Sequence, residues 1–155
     1  MRFDAYLQER RVLIKNRADI FGEQLILNGD DEVIGTEEHL LSNATTVSLD
    51  EAPGLVKSFG GVCYPAHIDR DANGIVAILG TLPSTPSFSC VEMRDAEKIP
   101  EYKERYALSD ELIIVSSDSH YLTDIDENNN FLELDTESDS PDEVSRALFK
   151  LLNGI

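Results

Sequence analysis

The chain has 155 residues, 41% hydrophobic and 28% charged, the size and balance of one globular domain with a real core; a chain of this length buries roughly 68–70% of its unfolded surface. Thirty acidic against 13 basic side chains leave a net charge of −17. So acidic a surface repels phosphate backbones and argues against a nucleic-acid partner, but it leaves room for a small phosphorylated ligand held by a local cation or a metal.

No run of 18 apolar residues is present, so no membrane partner is expected, and MRFDAYLQERR has no apolar signal region. Residues 3–14 predict a short amphipathic helix, with Phe3, Tyr6, Leu7 and Ile14 near helical spacing. It starts with no cap ahead of it and reads as a chain continuing upstream. QLIL and EVIG around NGDD predict a small hairpin. A helix follows, with Ser48 and Glu51 at capping-box spacing or with its start at Asp50, where Pro53 falls in the first turn. Segment 1–47 is then a helix and hairpin joined to the βα units of 48–155, all in one domain.

The second part alternates strands and helices. Strands are predicted at 61–66, 89–93, 111–117 and 130–134, and helices at 73–80, 99–108 and from Pro141 onward, the last with Ser140 as N-cap. This order predicts an α/β fold with a mainly parallel sheet, whose ligands bind at the C-terminal strand ends. Cys63 and Cys90 lie in apolar runs without Cys-x-x-Cys spacing and read as buried thiols of a reduced, cytoplasmic protein.

Three strand ends carry chemistry. The first delivers His67, a metal ligand or a hydrogen-bonded core histidine. Arg70 follows, suited to bidentate phosphate contact or to an ion pair with Asp69 or Asp71. The second carries Glu92, pointing opposite to Val91 and Met93, as a ligand, an acceptor behind a ligand, or part of a solvated face. The third delivers Ser117, Asp118, Ser119 and His120. If that segment is extended, Asp118 and His120 share a face and supply oxygen and nitrogen donors to a metal. Asp124, Asp126, Asn128, Asn130 and Asp135 only loosely match a calcium loop and read as an acidic turn. His39 beside Glu37 and Glu38 reads as solvated. Ser116, Ser117 and Ser119 lack a nucleophile elbow.

PAHIDR at 65–70 together with SSDSHYL at 116–122 resembles later signature elements of the PHP (polymerase and histidinol phosphatase) family of metal-dependent phosphoesterases. Residues 16–45 resemble the connecting segment of a bacterial subgroup. The resemblance implies a distorted seven-stranded β/α barrel, of which this chain would be the C-terminal part. It also implies a cluster of divalent metals (Zn, Mn, Fe or Mg) and hydrolysis of a small phosphorylated substrate. By it, His67, Asp118 and His120 are metal ligands and Arg70 contacts phosphate. Glu92 and Asp69 are further ligands or the acceptors that orient them. The family's early His-x-His strand, Asp-His pair and ligating glutamate have no counterpart here, because His39, His67 and His120 are the only histidines. Three ligands do not fix two metals roughly 3.5–4 Å apart, so little activity and no tightly held metal are expected of this chain alone. The competing expectation is a non-catalytic α/β module that binds a partner or pairs with a second copy through exposed strand edges.

Overall fold

The computed structural model describes residues 2–109, 112–125 and 130–155. The chain divides into two compact units, Met1–Ser48 and Leu49–Ile155.

The first unit contains helices α1 (Phe3–Gln8) and α2 (Ala18–Phe21) and the strands β1 (Leu25–Leu27) and β2 (Val33–Thr36). α1 is shorter than the predicted 3–14 helix, because residues 11 and 15 are drawn into bridges with Thr45 and His39. β1 and β2 form the expected antiparallel hairpin. Its turn follows from Asn28, whose side-chain oxygen accepts the Asp30 N–H (2.9 Å) and the Glu32 N–H (3.0 Å), and from a left-handed Asp31. The hairpin buries no apolar side chain: Leu25, Ile26, Leu27, Val33 and Ile34 are all exposed, Ile34 by 65%. The His39 side chain is 41% exposed, in keeping with the solvated residue expected, and its Nδ1 lies 3.4 Å from Glu37.

The second unit holds α3 (Ala52–Ser58), α4 (Ile75–Leu79), β3 (Cys90–Met93), α5 (Ile99–Tyr106), β4 (Leu112–Val115) and α6 (Pro141–Leu152), with single 3-10 turns at Ala96–Lys98 and Leu122–Asp124. β3 and β4 are parallel, with Glu92 opposite Ile114. Alternation sends Val91 and Met93 into a core with Ile68 and Leu108, covered by Ile75, Val76, Tyr102 and Ile113. Local chemistry sets the helix ends. Pro53 sits in the first turn of α3; α4 is cut to five residues between Gly74 and a left-handed Gly80; a left-handed Ala107 ends α5. Ser140 caps α6 as expected, its side chain accepting the Glu143 N–H.

The mixed α/β class is what the alternation of elements predicts. The barrel and the extended parallel sheet are not found: among the described residues the parallel sheet has two strands and closes on nothing. The predicted strand 61–66 is an irregular edge. Glu92 N–H donates to Pro65 O (3.0 Å) and Ile68 N–H to Glu92 O (2.9 Å), so the segment runs beside β3 with one residue too many between its two bonds. Pro65 has no N–H and His67 is left-handed (φ 32°), and a regular ladder cannot pass through either. The predicted strand 130–134 is coil. Phe131 and Leu132 are neighbours in sequence, and both line a cavity with Ile113, Ile114 and Val115. Asp126 and Asn128 of the acidic turn lie outside the described residues, as does Glu111 of the third predicted strand.

Candidate functional site

The C-terminal ends of β3 and β4 and the loop after Ile68 form one rim. Asp69 anchors it. This side chain is only 5% exposed, and its two oxygens accept the N–H groups of Arg94 and Asp95, each at 2.8 Å. A carboxylate shared by two amides ties the His67–Arg70 loop to the end of β3. Both oxygens of Asp69 therefore hold backbone amides.

His67 and Asp118 both adopt left-handed conformations, at φ 32° and 50°. Such backbone in a residue other than glycine is uncommon and gathers at functional sites. His67 is held from two sides. Its N–H donates to the Glu92 carboxylate (3.3 Å), and Gly74 packs so closely that an added Cβ would stand 2.8 Å from the His67 carbonyl oxygen. Its Nδ1 is buried with no hydrogen-bond partner among the described residues. Glu92 is half-buried, not the solvated face of the strand. Burial, with the Glu92 charge added, pushes the Tyr64 hydroxyl above its ordinary pKa.

Arg70 pairs with Asp118 across 48 residues of sequence, joining the loop after Ile68 to the loop after β4. Neither Asp69 nor Asp71 takes the guanidinium. The segment after β4 is not extended: Asp118 turns it, and the exposed His120 ring folds back so that Nδ1 lies 2.9 Å from the Asp118 backbone oxygen. The two-residue repeat of an extended segment, which would align Asp118 with His120, is therefore broken. Ser117 and Ser119 hydroxyls pair with each other.

These donors do not fit a metal centre as they stand. Among the described residues no three His, Cys, Asp or Glu side chains gather as a metal site would require, and the Asp118 carboxylate is committed to Arg70. The Nδ1 of His67 has no pair of further metal-ligating side chains gathered with it among the described residues.

The rim does enclose a cleft of about 690 Å³, lined by Asp69, Arg70, Asp71, Arg94, Asp95 and Lys98 among others. Sequence reasoning missed Arg94 and Lys98. Among the described residues neither has a carboxylate within ion-pair distance. Of the three cleft carboxylates, two are turned onto backbone amides, Asp69 as above and Asp95 onto the Glu97 N–H (3.0 Å). The lining still carries as many carboxylates as cations, Asp69, Asp71 and Asp95 against Arg70, Arg94 and Lys98, so on a chain of net charge −17 the cleft gathers cations without a net positive charge. The signal for it in the sequence was RDAEK directly after the VEM strand, the counterpart of IDRD after the first.

No protein-family model, no curated protein and no solved structure matches the chain.

Proposed function

We propose that this chain carries the phosphate-binding part of a phosphate-ester hydrolase site of the PHP kind. The observation that supports it is the cleft at the ends of two parallel strands, lined by Arg70, Arg94 and Lys98 together with Asp69, Asp71 and Asp95, beside His67 and Asp118. Guanidinium and ammonium groups on a rigid rim suit a small phosphorylated substrate. In this reading β3 and β4 belong to a barrel of the PHP type. His67, Asp118 and His120 would be this chain's contribution to a divalent-metal cluster, which requires Asp118 to leave Arg70 and the His120 ring to turn away from the Asp118 backbone oxygen. Hydrolysis by the isolated chain is accordingly near zero. Titrating inorganic phosphate by calorimetry tests the reading. The wild type binds, and Arg94→Ala/Lys98→Ala loses most of the affinity; equal binding by both would refute it. Robust hydrolysis of a generic phosphate ester, abolished in His120→Ala, would overturn the incompleteness of the metal site.

A second reading, self-association, is favoured by the uncovered hairpin, whose five large apolar residues are exposed. Light scattering during size exclusion decides it: a monomer at high concentration would remove it.

A further inference from the structure

Arg70 differs from the other cations of the cleft in already having an anion. Its guanidinium holds Asp118, while Arg94 and Lys98 hold no carboxylate among the described residues. We propose that Asp118 is a built-in competitor for the cleft's phosphate: it occupies Arg70 when the cleft is empty, yields it to an incoming phosphate, and so sets the anion affinity of the site. This rests on the phosphate-binding reading above and adds its regulation.

The backbone around Arg70 is fixed. Arg70 N–H donates to His67 O (3.1 Å), and the preceding Asp69 is clamped by two amides. Only the Arg70 side chain needs to turn to exchange one anion for another. The pair is open to solvent, with side-chain exposures of 31% for Arg70 and 20% for Asp118. A partly exposed ion pair is weak enough to exchange, whereas a fully buried one leaves a costly bare charge when broken. A phosphate also outcompetes a carboxylate for guanidinium, having more charge and a third acceptor oxygen. Arg94 and Lys98 supply the first attraction, and Arg70 closes on the ligand as Asp118 lets go.

Calorimetry with inorganic phosphate at low salt tests the idea on the full chain. Asp118→Asn keeps a residue tolerant of positive φ, and it is expected to bind phosphate roughly tenfold tighter than the wild type because Arg70 is released. Arg70→Ala/Asp118→Asn returns to wild-type affinity. Asp71→Asn removes the same charge from the cleft without freeing Arg70, and gains no more than about twofold. Measurable wild-type binding that Asp118→Asn leaves unchanged would overturn the competition while the phosphate-binding reading stood. No binding by either protein would overturn both. A measurement on the wild type needs no variant to fold: on saturation with phosphate, the Arg70 side-chain nitrogen and Asp118 carboxyl carbon resonances move together. If they stay still while the Arg94 signals move, the competition is refuted.

Discussion

Replacing Asp69 removes the acceptor of two amides at once. Asp69→Ala leaves the N–H groups of Arg94 and Asp95, each now 2.8 Å from a carboxylate oxygen, without their partner. Hydrogen bonds to a charged group are worth about 1.5–3 kcal/mol each. Arg94 is exposed and Asp95 half-buried, so water recovers part of both, and the lower end of the range applies: about 3 kcal/mol in total. Asp69→Asn keeps one acceptor but turns an NH₂ toward the other amide, for a loss of about 1.5–2 kcal/mol. Asp71→Ala, on the exposed side of the same loop, stays within about 0.5 kcal/mol of wild type. Urea unfolding followed by far-UV circular dichroism gives the three values, since the chain has no Trp to report by fluorescence. Hydrogen exchange at Arg94 and Asp95 accelerates in parallel. If Asp69→Ala unfolds within about 0.5 kcal/mol of wild type, the clamp does not hold the rim and the geometry of the cleft loses its cause.

Gly74→Ala drives a Cβ to 2.8 Å from the His67 carbonyl oxygen, a backbone atom that cannot step aside alone. A loss of roughly 1–3 kcal/mol follows in thermal unfolding, and an unchanged melting temperature would contradict the packing. Burial pushes the Cys90 thiol up to about 11, so at pH 8 almost none is thiolate. A disulfide reagent then reaches the half-buried Cys63 first and Cys90 only on unfolding; equal rapid labelling in the native protein would refute the burial. Ser140→Ala removes the acceptor for the Glu143 N–H and costs about 1 kcal/mol in urea unfolding; an unchanged midpoint would show that the cap contributes nothing to α6.

Elements specified by neighbouring residues were legible in the sequence. The NGDD turn announces the hairpin, Ser140-Pro141 the start of α6, and the apolar runs CVEM and LIIV the parallel pair. Segment 61–66 misled because it has the composition of a strand, while a single proline and one surplus residue decide whether it can ladder. The site divides in the same way. His67, Asp118 and Arg70 could be picked out by residue type and by their place after apolar runs. That Arg70 takes Asp118 rather than its neighbours Asp69 and Asp71 depends on strand register, which sequence spacing does not carry. The left-handed turn at Asp118 defeats the two-residue periodicity that would have aligned His120 with it. Arg94 and Lys98 gain meaning only once β3 is known to end at the same rim as the loop after Ile68.

Phosphate binding at the rim is read out residue by residue in an amide-resolved NMR titration with inorganic phosphate. Saturable shifts are expected at residues 69–71 and 94–98, with the hairpin at 25–36 unmoved. Shifts spread evenly over the surface, or absent from those two loops, would contradict it.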